Sequence, residues 1–204
     1  MKSVVDNFPE MRNLLRFNGN DNVFLVWLVR RPKDGNTKAH GNNRTRTIKS
    51  YYIQNLAQLE EKKEEIVGIC DAFNCRAYIC MNPRNFRKVL FSMQDTLMNK
   101  IKDESGKTKV DLNGLIDHSL MKTPYEGERY WVVDVDDDDP AYLAALIEVV
   151  NDARSEFRKN VIATLPTVHG YHLITHRFDT QRLEHWTVDI KKDALTLLYA
   201  NINK

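Results

Sequence analysis

Eight residues from Asn22 to Val29 (Asn-Val-Phe-Leu-Val-Trp-Leu-Val) form a nearly continuous apolar run. A run of that length, rich in β-branched and aromatic residues, predicts a buried strand. Residues 30–46 are polar, basic and rich in Gly and Asn, which predicts an exposed loop. Arg46 to Ile53 alternates enough for a second strand, with Ile48 and Tyr52 as its apolar positions. Leu56 to Phe73 reads as a helix, apolar at Leu56, Leu59, Ile66 and Ile69 and charged from Glu60 to Glu65. Ala77 to Met81 predicts a buried strand. Asn82 and Pro83 then read as the cap and first residue of a helix whose apolar face is Phe86, Val89, Leu90, Met93 and Leu97. Residues 102–129 are polar and irregular, which suits a linker or a flap.

The second half predicts strands at 130–136, 161–165, 171–175, 185–190 and 195–200. A helix is expected at 140–158, with Leu143, Leu146, Ile147 and Val150 on one side. Lys191-Lys192-Asp193-Ala194 reads as the turn of a hairpin joining the last two strands. The pattern is α+β, a mostly antiparallel sheet covered by helices. The regular strand–helix alternation of a doubly wound fold is missing.

A chain of 204 residues suits one domain or two small subdomains, and 42% hydrophobic residues suffice for a substantial core. The formal net charge of +2 carries no global polycation signature, so any nucleic-acid contact must come from local patches. Cys70, Cys75 and Cys80 lie in or beside apolar segments and lack CxxC spacing. They read as reduced, buried residues, which argues against zinc. The first residues have no signal-type apolar segment, and no run approaches the length of a membrane span. A soluble, cytoplasmic protein without a membrane partner is expected.

Candidate chemistry concentrates at residues 131–139, Trp-Val-Val-Asp-Val-Asp-Asp-Asp-Asp. An apolar strand that turns acidic at Asp134 is leaving the core. Side chains alternate along a strand, so Asp134 and Asp136 share a face about 6.6 Å apart. Carboxylates that close raise each other's pKa unless a cation sits between them, and hard divalent ions such as Mg²⁺ or Mn²⁺ prefer oxygen ligands. A plainer reading is a solvated turn, with Asp139 and Pro140 opening the next helix. That reading accounts for Asp138 and Asp139 but not for Asp134 and Asp136. An EF-hand loop starting at Asp134 would need Gly and Glu where Asp139 and Ala145 stand. An Asp-x-Asp pair also occurs in glycosyltransferases and by chance.

Two further segments matter. In Thr167-Val168-His169-Gly170-Tyr171-His172-Leu173-Ile174, a Gly that permits close backbone approach precedes a strand carrying a His. Such a His can hydrogen-bond a phosphate oxygen or sit as a satisfied strand residue. The spacing of His169, His172 and His176 would suit a metal on a helix, but the segment reads as a strand. His185-Trp186-Thr187-Val188-Asp189-Ile190 is another apolar stretch with an acid near its end. Adjacent strands lie about 4.8 Å apart, so Asp189 reaches the ion of Asp134 and Asp136 if its strand neighbours theirs. Alternatively, Asp189 pairs with Lys191 or Lys192.

Taken in order, Asp134-x-Asp136, Gly-x-His172 and the apolar residue with Asp189 resemble the archaeo-eukaryotic primase superfamily, the primase-polymerase type. Tyr78-Ile79-Cys80-Met81-Asn82-Pro83-Arg84 resembles the strand and Asn-Pro-Arg element that precedes the acidic motif there. The likeness covers roughly residues 75–200. It implies one primase-polymerase-like domain over 1–204, with an N-terminal α/β module at 1–101 and an RRM-like acidic-site module at 130–204, joined by 102–129. It also implies Asp134, Asp136 and Asp189 as catalytic Mg²⁺ or Mn²⁺ ligands and His172 as a nucleotide phosphate contact. Arg84 and Lys191 are assigned to offsetting triphosphate charge. The family's Ser before the His motif has no secure counterpart, since Thr164 and Thr167 are the nearest hydroxyls. The basic segment, zinc module, helicase and helical priming domain that can follow the third motif are not found before Lys204.

The implied activity is nucleotidyl transfer from NTP or dNTP on a nucleic-acid template, in a phage, plasmid or mobile-element setting. A helicase or other replication protein is the further partner implied. A catalytically divergent nucleotide- or nucleic-acid-binding module of the same fold is the alternative, and another metal-dependent phosphoryl-transfer enzyme or nuclease is a third. Arg44, Arg46 and Lys49, followed by Tyr51 and Tyr52, combine cations with rings in a way that suits single strands. A solvated basic loop with Tyr52 facing the core is the competing reading.

Overall fold

A computed structural model describes residues 4–17, 19, 21–34, 45–102, 112–125 and 127–202. The chain is α+β, with two antiparallel sheets and five α-helices among the described residues. Strands β1 (Val4–Asp6), β2 (Asn22–Arg30), β3 (Arg46–Ile53), β4 (Arg76–Cys80), β5 (Arg84–Asn85) and β10 (Leu195–Asn201) form the first sheet, in the order β1-β10-β4-β2-β3 with β5 beside β2. The second sheet holds β6 (Trp131–Val135), β7 (Val161–Pro166), β8 (Tyr171–Thr175) and β9 (Asp189–Lys191), in the order β7-β8-β6-β9. The helices are α1 (Phe8–Leu14), α2 (Leu56–Phe73), α3 (Phe86–Lys102), α4 (Leu112–Lys122) and α5 (Pro140–Asp152).

Helix α2 starts where Asn55 accepts from the Gln58 amide at 2.8 Å, and it ends at Asn74 in the left-handed conformation. It buries Leu59, Ile66 and Cys70 against one face of the first sheet, in a core shared with Val26, Leu28 and Ile79. Helix α5 opens as its sequence predicts, with Asp139 accepting from the Ala141 amide at 2.9 Å and Pro140 in the first turn. It covers the outer face of the second sheet.

Strand β6 shows what alternation achieves. Trp131, Val133 and Val135 pack with Leu146 and Val150 of α5, whereas Val132 joins the core of the first sheet. Ile174 of β8 and Leu165 of β7 enter that same core. The two sheets are thus held face to face by apolar side chains, each contributing about 1.5–3 kcal/mol on full burial. Asp134 shares the Val132 face and is directed between the sheets.

Several elements differ from expectation. Residues 185–190 are not one strand: a helical turn spans Thr180–Leu183, and only Asp189–Lys191 pairs. Asp189 therefore opens a strand rather than closing one. The 191–194 segment is not a hairpin turn, because β9 and β10 lie in different sheets. It carries the chain from one sheet to the other, so β10 lies between β1 and β4 and the sheets do not divide at 102–129. Asn82 does not cap a helix: β5 intervenes and α3 starts at Phe86. Of the expected α3 face only Val89 is fully buried, and Leu90 is 44% exposed. Helix α4 lies within the stretch read as irregular, and α5 ends at Asp152 rather than 158. Cys70, Cys75 and Cys80 are free and buried. No helix among the described residues is long and apolar enough to cross a membrane.

Candidate functional site

A cleft of about 550 Å³ opens between the two sheets. The first sheet supplies an apolar wall with Trp27, Val29, Tyr78, Leu195 and Leu197, and the second supplies Asp134, His172 and Lys191. Asp136, Thr167, His169, Arg31 and an Asp34–Arg76 pair also line it.

Asp134 sits at the centre of the polar side because β6 is an inner strand. Its cross-strand partner on β8 is His172, and on β9 it is Asp189. His172 Nε2 lies 3.2 Å from Asp134 Oδ1, and Lys191 Nζ donates to Oδ2 at 2.5 Å. The same ammonium lies 3.4 Å from Asp189 Oδ2. Burial acts to raise the Asp134 pKa, but the hydrogen bonds from His172 and Lys191 outweigh it and hold the carboxyl well below the usual range. For Lys191 burial acts downward, and Asp134 followed by Asp189 overcomes it, so its pKa is raised.

His172 is buried, and its Nδ1 lies 2.8 Å from the Thr196 hydroxyl of β10. One ring nitrogen thus faces Asp134 and the other Thr196. Both ring nitrogens are then engaged, and one must be released before this His can serve a phosphate. His169, three residues earlier, is exposed and lines the cleft.

Gly170 is required for close approach, though not by a ligand. A Cβ there would lie 2.0 Å from the Val135 carbonyl oxygen and 2.9 Å from the Asp137 amide nitrogen. The turn before β8 is thus packed on the end of β6, where Asp134 gives way to Asp136.

Arg84 does not serve as a phosphate contact in this arrangement. Its guanidinium is 1% exposed, donates to Asp193 Oδ2 at 2.6 Å and to the Asn82 carbonyl at 3.0 Å, and does not line the cleft. Asn82 mimics a strand neighbour for Tyr130, giving to its carbonyl at 3.0 Å and accepting from its amide at 2.7 Å. It also donates to Asp193 at 3.1 Å. Together with Arg129, which donates to the Lys192 carbonyl at 2.5 Å, these groups fix the crossing segment that delivers Asp189 and Lys191.

Among the described residues, the basic positions of β3 are not assembled as a strand-binding platform. Arg44 lies outside the described residues. Arg46 is exposed on β3. Lys49 pairs with Glu65 and lies over the Tyr51 ring, which is itself buried. The Tyr52 hydroxyl donates to Asp117 at 2.7 Å. Neither ring is presented for stacking. His176 pairs with Glu128 and stacks on Phe157, apart from His172.

Arg31, Trp27, Thr196 and the Asp34–Arg76 pair are cleft or site residues that the motifs do not indicate, and Tyr78 lies in the strand element ahead of Asn82-Pro83-Arg84 without being marked as a site residue. Asp34 carries one signal, as the only acid in the basic 30–46 stretch.

No family model, curated protein or solved structure matches the chain.

The donor set suits a hard divalent ion in charge and in element. Asp134 and Asp189 already share one cation, the Lys191 ammonium, and Asp136 opens into the same cleft. As the side chains stand, no group of three or more His, Cys, Asp or Glu among the described residues is gathered to hold a metal. Asp189 is 70% exposed and Asp136 is exposed, so both can turn without unpacking the core.

Proposed function

We propose that this chain is a metal-dependent nucleotidyltransferase of the primase-polymerase type, joining nucleotides from NTP or dNTP on a nucleic-acid template. One observation carries the reading: Asp134, on the central β6–β8 pair, has His172 opposite it on one side and Asp189 on the other, at the rim of an inter-sheet cleft. Three residues separated in the chain meet on three neighbouring strands, which supports this reading. The strand order β9-β6-β8-β7, with α5 crossing from β6 to β7, matches the strand order of an RRM-like βαββαβ module and supports the finer fold assignment, although only the 3-10 turn Thr180–Leu183 stands where that module has its second helix.

In this reading Asp134, Asp136 and Asp189 hold Mg²⁺ or Mn²⁺, whose charge acidifies a primer 3′-hydroxyl and offsets that of the α-phosphate. The chain's own residues do the rest. His172, oriented by Thr196, fixes the Asp134 carboxylate. Arg31 and His169 give the cleft cationic and hydrogen-bonding groups for a phosphate chain. The half-buried Trp27 and Tyr78 offer a flat apolar wall for a base. Template single strand and a helicase or other replication protein are the partners in this proposal.

The runner-up is a divergent module of the same fold that binds nucleotide without polymerising. The engagement of both Asp134 oxygens by His172 and Lys191 favours it. Calorimetric titration of dGTP and GTP, with and without Mn²⁺, tests the primary reading. Metal-dependent binding that disappears in a folded Asp134→Asn variant, followed by metal-dependent primer extension, is expected. Asp134→Asn binding nucleotide as well as the parent would remove the metal site. Binding without extension would select the runner-up.

A further inference from the structure

We infer that Lys191 is a built-in counter-ion which occupies the metal position of the free protein and is exchanged for the divalent ion, so that metal and ammonium compete for Asp134. The inference rests on the metal-site reading above.

Asp134 and Asp189 stand directly opposite each other on neighbouring strands. Like charges in that relation repel, and a cation between them removes the cost. Lys191 follows Asp189 by two positions on β9 and so returns to the same face. Its ammonium bridges the two carboxylates at 2.5 and 3.4 Å.

The bridge is built to open. Lys191 is 40% exposed, on a flexible stem that ends in a hydrated point charge. Its departure uncovers Oδ2 of Asp134, while Oδ1 stays with His172. The backbone beside it does not have to follow, since Asp193 is tied to Asn82 and Arg84, and the Lys192 carbonyl to Arg129. Lys191 also lines the cleft, so an anionic ligand there draws the ammonium away from the carboxylates. Metal affinity is then low in the free protein and rises when a phosphate-bearing ligand enters, a reciprocal coupling between two ligands.

Calorimetric titration of Mn²⁺ alone, without nucleotide, into the parent, Lys191→Met, Lys191→Arg and Asp134→Asn proteins tests this. Loss of the competing charge should tighten Mn²⁺ binding about tenfold or more in Lys191→Met. Lys191→Arg keeps the charge in a fork that grips carboxylates more firmly, so it should bind Mn²⁺ no more tightly than the parent, and Asp134→Asn should lose the binding. Lys191→Gln is a second neutral replacement, with the same expectation as Met, should the Met variant fail to fold. Equal or weaker Mn²⁺ binding in the neutral variants, still sensitive to Asp134→Asn, would overturn the counter-ion role and leave the metal reading standing. A gain in Lys191→Arg matching that in Lys191→Met would overturn it as well. Absence of any Asp134-dependent Mn²⁺ binding in parent and neutral variants would sink both.

Discussion

Two acid–base pairs face the same cleft, one from each sheet, and they are built differently. Asp34 and Arg76 are bidentate, at 2.5 and 2.6 Å, with side chains only 3% and 7% exposed. Asp134 and Lys191 share a single contact at 2.5 Å, with side chains 22% and 40% exposed. Arginine's rigid fork suits a permanent pair, whereas lysine's ammonium can exchange for another cation. The first pair pins the 3-10 turn after β2 to β4, and the Asn74 amide, donating to the Asp34 carbonyl at 2.5 Å, ties the same turn to the end of α2. The second pair sits where chemistry is proposed. Burial and bidentate geometry therefore separate the framework of the cleft from its working side, although both sides carry the same kinds of charge.

The sharpest way to break this contrast is to remove one member of the buried pair. Arg76→Ala leaves the Asp34 carboxylate, only 3% exposed at the cleft wall, without its guanidinium. A loss of about 3–5 kcal/mol in denaturant unfolding is expected. A loss below about 1 kcal/mol would show that Asp34 is solvated on truncation and that the two pairs do not differ in kind.

The contrast also explains what could be read from the sequence. Asp134, Asp136 and His172 were legible because strand alternation and an abrupt apolar-to-acidic change act over a few residues. Asp189 reads as an acid near a strand end, but the strand is only Asp189–Lys191, shorter than the apolar run suggests. The Lys191–Ala194 segment has the local chemistry of a hairpin turn. Where its two strands go is set by packing between sheets, which no window of that size contains. Asp34 and Arg76 are 42 residues apart, and neither lies in a motif. Arg84 looked like a ligand contact because a conspicuous Arg after Asn-Pro gives no hint of its burial beside Asp193. Helix α4 is not legible in the sequence because Gly114 and its polar residues lower the local helical signal, although Leu115 and Leu120 are buried.

A smaller effect is expected on the working side, and it depends on pH. Asp134 has a folded pKa depressed below its unfolded value, so its pairing stabilises the protein above that unfolded value, about 4. The stabilisation is lost as pH falls through the folded pKa. Lys191, with a raised pKa, contributes below its unfolded value of about 10.4 and loses that contribution as pH rises through the folded one. Asp134→Asn should therefore cost about 1 kcal/mol across a plateau from roughly pH 5 to 10, given partial solvent screening. The gap from the parent should shrink below about pH 4. Denaturant unfolding of the two proteins at several pH values measures it. A gap that persists unchanged well below that point would mean that packing at Asp134, not its charge, carries the stability.

The smallest expected effect separates the two pairs most cleanly. Without metal, Lys191→Met leaves Asp134 and Asp189 opposed across adjacent strands. At low salt this should cost about 0.5–1 kcal/mol, within the range of partly exposed pairs. Mobile ions reach a half-exposed site, and the screening length falls from about 10 Å at 0.1 M to about 3 Å at 1 M salt. The Lys191→Met penalty should fade over that range, while the Arg76→Ala penalty should move much less because the Asp34 side chain is only 3% exposed. Parallel unfolding of the parent and both variants at the two salt concentrations gives the comparison directly. Equal salt dependence would mean that ions reach both pairs alike, and the division between a fixed and an exchangeable side of the cleft would fail.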